Sequence, residues 1–288
     1  MFLITGASGF IGQHLVREFS DRDVFCATEA NMNLRNPSMI DEVVADLQPE
    51  VVIHLAAKTE VAWSFDDYLD VSNVNYLGTV ALAEANRRLN PNLRLFVMAS
   101  TMETYGHQDH WIPFTEDTPQ YPAAPYAVAK VACENYLAYM DYAYGFPYTI
   151  LRQTNTYGRS DNDFFVVERI LTQMLAGGPV RLGDPDPYRN FLHIDDLVAL
   201  YRRVVEDRPI GETFVTGPNN ALQIDDLAYR CRRVTGYRGD IEWHTIPKRP
   251  GEIYYLNSNP VKAERMLGWT PKVELEEGLA RTADLWRS

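Results

Sequence analysis

Thr5-Gly6-Ala7-Ser8-Gly9-Phe10-Ile11-Gly12 is the stretch that decides the fold. It follows the apolar run Phe2 to Thr5 and opens an amphipathic segment from Phe10 to Phe19, so a strand is expected to pass through a glycine turn straight into a helix. Glycines allow the tight turn and the close approach of backbone to a ligand. The helix that follows presents its N–H groups and the positive end of its dipole to a pyrophosphate. The GxxGxxG spacing is a weak signal by itself, but between a first strand and a first helix it marks a dinucleotide site. Gly6, Ser8, Gly9, Phe10, Ile11 and Gly12 are the candidate contacts.

Outward from this turn the pattern repeats. Val24 to Thr28, Val51 to Leu55, Leu93 to Met98 and Tyr148 to Leu151 read as strands. Between them Ser38 to Leu47, Val74 to Arg88 and Tyr126 to Tyr144 carry apolar residues at helical spacing. Regular alternation of strand and helix implies right-handed crossovers, and therefore an α/β doubly wound parallel sheet whose ligands bind beyond the carboxyl ends of the strands. After about residue 155 the alternation loosens into a loop (Tyr157 to Asp163), a helix (Phe164 to Ala176) and a turn-rich stretch to Tyr188. A smaller α/β lobe is expected from 156–188 and 217–288, with 1–155 and a returning segment, 189–216, forming the sheet domain.

The 288 residues, 46% of them apolar, are enough for a sizeable core, and 39 acidic against 27 basic residues give a net charge of -12. That charge opposes binding to nucleic acid and to anionic membrane surfaces, and no partner of either kind is expected. Only 5 of the basic residues are Lys, so an anionic small ligand must be met by a few placed arginines. Cys26, Cys133 and Cys231 fit neither a disulfide framework nor a zinc pattern, and the paired aspartates at 161/163, 184/186 and 195/196 lack a third ligand, so no metal is expected. With no apolar run near the ~18 residues of a membrane span, and an opening that goes directly into a strand, the chain is expected in the cytosol.

Three further features carry chemistry. The second strand is expected to end at Thr28, with Glu29 next, where an acidic residue would hold the ribose hydroxyls of NAD; Arg35 is the nearest cation for the 2′-phosphate of NADP. Tyr126-Ala127-Val128-Ala129-Lys130 sets a phenol and an ammonium one turn apart. The positive charge is expected to lower the phenol's pKa from ~10, so that it can take an alcohol proton as hydride leaves. Thr101 upstream completes a dehydrogenase constellation. His54 and His193 lie in apolar runs and read as satisfied interior residues.

With these residues in place the sequence resembles the extended short-chain dehydrogenase/reductase family, the NAD-dependent epimerases and dehydratases of nucleotide sugars. The resemblance spans the chain and rests on the glycine turn, His54-Leu55-Ala56-Ala57, Asn75-Tyr76-Leu77-Gly78-Thr79, Ser100-Thr101-Met102-Glu103-Thr104-Tyr105-Gly106, Pro125-Tyr126 to Lys130, Arg189 to Asp196, and Arg249-Pro250-Gly251-Glu252. It implies a Rossmann sheet domain binding NAD, with NADP as the other candidate, and a lobe binding a nucleotide-diphosphate sugar. It implies Thr101, Tyr126 and Lys130 as the hydroxyl-oxidising triad, Lys130 also meeting the nicotinamide ribose. Further cofactor contacts are implied at Thr28, Asn33, Leu55, Ala56, Ala57, Lys58 and Asn75. Substrate contacts are implied at Thr101, Met102, Asn155, Arg189, Arg249 and Glu252, and a homodimer pairing through the helices that begin near Val74 and Tyr126.

Reaction type turns on Thr101-Met102-Glu103. Dehydratases of the family resemble the form with Glu103, a base for the C5 proton once C4 is oxidised, and a 4,6-dehydratase is the leading expectation. Met102 stands where several such enzymes carry a proton donor, and a thioether donates none, so 4-epimerisation is the alternative. Decarboxylation fits the surroundings of Tyr126 less well. An NADPH-dependent 4-keto sugar reductase and a non-catalytic NAD(P)-binding sensor complete the readings.

Overall fold

Each apolar β-branched run of the first half forms a strand. The computed structural model describes residues 1–287. In it β1 (Phe2–Thr5), β2 (Val24–Ala27), β3 (Val51–His54), β4 (Leu95–Thr101) and β5 (Tyr148–Gln153) pair in parallel. With the strand Glu212–Val215 they make a six-stranded sheet whose order is Glu212–Val215, β5, β4, β3, β1, β2. This is the doubly wound α/β sheet. The chain leaves β1 toward β2 and then crosses back to β3, so the switch point lies at the ends of β1 and β3, where the glycine turn and Leu55 to Lys58 follow.

The crossovers are helices: α1 (Phe10–Glu18), α2 (Pro37–Leu47), the single turn α3 (Tyr68–Val71), α4 (Gly78–Leu89) and α5 (Pro125–Tyr144). Their ends follow from local chemistry. The Asn36 side chain accepts from Met39 N at 3.2 Å and Pro37 takes the first turn of α2, where a missing N–H costs nothing. Pro125 likewise starts α5, and Gly145 at φ 67° ends it. Ile40, Val44, Leu82, Leu137 and Met140 from these helices close over Leu3, Val52, Phe96, Met98 and Ile150 of the sheet. Burial on both sides explains why β1 and β3 read as continuous apolar runs.

Among the boundaries that differ from expectation, three have clear physical reasons. β4 runs on to Thr101 because Ser100 and Thr101 continue the pairing to Arg152 and Gln153. β2 stops at Ala27 because the Thr28 N–H is taken at 2.7 Å by the Asn31 side chain. The helix expected from Val74 begins as a wider π turn, Ser72–Leu77, before α4.

The chain divides into two compact units. The first comprises Met1–Gly106, Thr118–Gln153 and Val198–Phe214, and the second His107–Asp117, Thr154–Leu197 and the chain from Val215. In the second unit Asn155–Tyr157 pairs in parallel with Phe191–His193, and Tyr188–Arg189 antiparallel with Leu222–Gln223. Those pairings place residues 189–193, expected to return to the large sheet, in the second unit. Helices Val166–Ala176, Ile224–Thr235 and Leu275–Leu285 enclose its core of Tyr157, Ile170, Leu171, Leu227, Cys231 and Leu279. No helix among the described residues is long and apolar enough to cross a membrane.

Gly12 marks how closely the turn after β1 is built: a Cβ there would stand 2.2 Å from the Gly6 carbonyl oxygen. Gly12→Ala is therefore expected to lower stability in urea by about 1–3 kcal/mol, the usual cost of overpacking. A variant as stable as the parent would contradict this packing.

Candidate active site

The turn after β1 is a backbone cradle. Gly6 sits at φ +67°, and a Cβ on it would stand 2.9 Å from Ala56 N, so β1's turn touches β3's along the main chain. Gly9 caps α1 and its N–H reaches Gly6 O at 3.0 Å. A diphosphate needs this kind of surface: backbone without side chains at a helix N-terminus. Gly6, Ser8, Gly9, Phe10, Ile11 and Gly12 all belong to this turn and the first residues of α1.

A hydrogen-bonded relay fastens the cradle. Thr79 Oγ1 donates to Asn75 O at 2.6 Å, so it accepts from His54 Nε2 at 2.8 Å; His54 Nδ1 then accepts from Thr5 Oγ1, also at 2.8 Å. The Thr5 oxygen in turn takes the N–H groups of Leu55 and Ala56 at 3.1 Å each. Every polar atom of the buried imidazole is used in the neutral form. Burial, with the Lys130 charge second, pushes His54 down to about 3. Beyond Ala57, the Asn75 side chain grips the main chain of Lys58 through its N–H (2.7 Å) and its carbonyl (2.9 Å). At the end of β2, Thr28 is held by Asn31, and Asn33 accepts from Arg35 N at 2.9 Å. The Arg35 guanidinium is forked onto Asp70 at 2.7 and 2.8 Å and paired with Glu29 at 2.9 Å. The cation expected for a 2′-phosphate is thus committed to two carboxylates, which favours NAD.

Past the end of β4 the chain turns sharply through Met102–Tyr105, with Thr101 Oγ1 accepting from Glu103 N at 3.2 Å. α5 carries Tyr126 and Lys130 to the same place: Tyr126 stands near enough to Thr101 for that hydroxyl to act on the phenol's acidity, and the Lys130 ammonium lies 6.0 Å from the Tyr126 ring. Thr101, Tyr126 and Lys130 are all buried, as is Met102 at 2% exposure. The expected lowering of the Tyr126 pKa is not found. Burial foremost, and then the Glu103 carboxylate, raise the phenol above its ordinary value, against a smaller pull downward from the Thr101 hydrogen bond. The reason is that Lys130 spends itself elsewhere: its Nζ donates to Ala99 O at 2.7 Å, and burial lowers its own pKa. In this state Tyr126 holds its proton.

The second unit gathers the remaining candidates. Glu252 accepts from Arg189 Nη2 at 3.1 Å and from Arg249 Nε at 3.1 Å, so one carboxylate gathers two guanidiniums. Asn155 reaches Asn190 O at 3.4 Å. His193 is buried, its Nδ1 accepting from Asp195 N at 3.2 Å. Sequence reasoning missed Glu134 and Arg152, a buried ion pair directly below the Thr101 turn. The signals were present: an acid four residues after Lys130 on the same helix face, and an arginine inside the apolar run of β5.

In the first unit, a glycine turn lies at the switch point, and a buried Thr, Tyr and Lys lie near the end of β4. The profile of the NAD dependent epimerase/dehydratase family matches residues 2–217. A UDP-glucose 4-epimerase of Mycolicibacterium smegmatis is 32% identical over 311 residues, 99% of this chain and 98% of that protein. A dTDP-glucose 4,6-dehydratase of Xanthomonas campestris pv. campestris is 27% identical over 324 residues, 98% and 92% of the two chains. Among solved structures, a UDP-glucose 4-epimerase of Thermotoga maritima with UDP-glucose superposes with a TM-score of 0.91 at 29% identity, covering 99% of this chain and 98% of that one. The chain belongs to the NAD dependent epimerase/dehydratase family, and it is an enzyme of that type.

The His54 relay predicts a pH effect on stability. The folded state keeps His54 neutral down to about 3, while the unfolded chain protonates it below ~6.5. The unfolded state therefore binds more protons across that window, and stability falls as pH drops through it, by up to about 1.4 kcal/mol per pH unit. His54→Gln should show a correspondingly shallower loss between pH 6.5 and 4 in urea unfolding; equal slopes would contradict the buried neutral imidazole.

Proposed function

We propose that this protein is an NAD-dependent nucleotide-sugar 4-epimerase acting on a nucleoside diphosphate hexose. One observation carries the reading: the triad is complete, while the position between Thr101 and Glu103 is a buried thioether. Elimination of water across C5 and C6 needs an acid for the departing hydroxyl, and Met102 has no proton to give. Epimerisation needs only a group that removes the C4 hydroxyl proton and returns it. The relatives named as UDP-glucose 4-epimerases, at 32% and 29% identity, support the same reading ahead of the dehydratase expected from sequence.

Bound NAD would supply the acceptor and donor of the C4 hydrogen. The chain's own work is at the oxygen. The resting phenol's proton must first leave to solvent, a loss that the positive charges of Lys130 and of bound NAD would favour; as phenolate, Tyr126 Oη then takes the C4 hydroxyl proton and hands it back, with the Thr101 hydroxyl stabilising the phenolate. Glu103 acts in this reading as a fixed negative charge that keeps Tyr126 protonated until substrate and cofactor are present. Lys130 and the contacts at Thr28, Asn33 and Leu55 to Lys58 hold the cofactor. Asn155, Arg189, Arg249 and Glu252 meet the nucleotide diphosphate. The reading places the enzyme in the cytosol as a homodimer, supported by Leu77, Val128 and Tyr142, exposed apolar side chains at and beyond the starts of the two expected pairing helices. A 4,6-dehydratase is the second reading, favoured by Glu103 itself if that carboxylate meets C5.

Incubation with UDP-, dTDP-, CDP- and GDP-hexoses, followed by mass and proton NMR, is expected to give a C4 epimer of unchanged mass; loss of water would establish the dehydratase instead. Tyr126→Phe should lower kcat by about 10²-fold or more while leaving the fold intact. Glu103→Gln should keep epimerase activity and move the acidic limb of the pH profile to lower pH, because removing the carboxylate lowers the Tyr126 pKa. Abolished activity in that variant would assign Glu103 a proton-transfer role.

A further inference from the structure

The mechanism leaves unused a set of buried polar groups under the elements that carry it. Glu134 lies one turn beyond Lys130 on α5, and Arg152 near the end of β5; both are buried. Arg152 meets Glu134 Oε2 through Nη2 at 2.7 Å and Nε at 3.0 Å. The same carboxylate accepts from Ser100 Oγ, the residue before Thr101, and from Gln120 Nε2 at 2.9 Å. Through Nη1, at 2.8 Å, Arg152 donates to the hydroxyl of Tyr105, the last residue of the Met102–Tyr105 turn. The guanidinium also covers the Tyr105 ring at 5.1 Å.

The pair thus holds both ends of the catalytic turn, Ser100 before it and Tyr105 at its close, and fastens them to the helix that bears Tyr126 and Lys130. Stability is a poor reason for such an arrangement. Desolvating a carboxylate and a guanidinium costs several kcal/mol each, and a well-packed apolar replacement of the pair is often neutral or stabilising. What the ion pair supplies that an apolar contact lacks is direction: a carboxylate with four fixed donors and a planar fork admit one register between β4, β5 and α5.

We propose that Glu134 and Arg152 are positioning residues that set Thr101 Oγ1 against Tyr126 Oη, the alignment on which the epimerase chemistry proposed above rests. Neither touches the reacting atoms; they act through Ser100, Tyr105 and α5.

The test is the double variant Glu134→Met/Arg152→Met, which removes both charges and leaves neither unpaired. The expected result is a protein at least as stable as the parent, with KM and NAD affinity unchanged within about twofold but kcat lowered about tenfold to hundredfold, as a displacement of around 1 Å would produce. In the substrate-free protein, Tyr126 followed by NMR of labelled tyrosine is expected to titrate at higher pH than in the parent, because the Thr101 hydroxyl that favours the phenolate is displaced from it. Tyr105→Phe, which deletes a single hydroxyl, is expected to lower kcat in the same sense with KM unmoved, and it keeps the question open to measurement if the double variant does not fold. A double variant with kcat and Tyr126 titration like the parent's would overturn the proposal, as would an unchanged kcat in Tyr105→Phe. The titration needs no sugar, so failure of the parent to epimerise any substrate would sink the functional reading while leaving the positioning role to be judged by itself.

Discussion

Desolvation at the carboxyl end of β4 governs this protein. Within a few residues of one strand end the chain buries a phenol, an ammonium, a carboxylate and a guanidinium, Tyr126, Lys130, Glu134 and Arg152. Water would stabilise each charge far better than an interior does, so each must be answered by a placed partner. Arg152 answers Glu134, the Ala99 carbonyl answers Lys130, and Thr101 answers Tyr126. The helix and strand lengths follow: β4 must run to Thr101 and α5 must start at Pro125 for these partners to meet. The result is a phenol that keeps its proton in the resting chain.

The same logic separates bulk charge from local charge. A net charge of -12 describes a surface that repels polyanions, yet the proposed ligands are diphosphates. The exceptions are local. The first unit offers the glycine turn at the N-terminus of α1, and in the second Arg189 and Arg249 both meet Glu252. Arg35, the cation nearest the end of β2, is neutralised by Glu29 and Asp70. Selectivity between cofactors is thereby written in which arginines are already paired.

Much of this was legible in the order of residues. Alternating apolar runs predict the sheet because parallel strands covered on both faces must be continuously apolar. Glycines predict the turn because Gly6 and Gly12 sit where a Cβ would strike backbone. Tyr126 and Lys130 share a helix face by spacing alone. What spacing does not carry is the partner each charge finds after folding. The one-turn spacing of Lys130 predicts a lowered Tyr126 pKa, but Lys130 donates to a carbonyl of β4, 31 residues upstream, and burial then dominates. Glu134 and Arg152 go unnoticed in the sequence for the same reason: they are separated by 18 residues and joined by tertiary packing. The start of the return to the large sheet was misplaced because strands of two or three residues, such as Tyr188–Arg189 and Phe191–His193, give too little pattern to assign to one sheet or another.

In the function proposed above, Glu103 is a fixed charge beside a buried Tyr126 and not a base at C5. Turnover of a UDP-hexose in deuterated water tests it most directly. The expected product is a C4 epimer of unchanged formula, with no solvent deuterium on the sugar carbons. Deuterium at C5 accompanied by loss of water would contradict it and give Glu103 the role of the eliminating base.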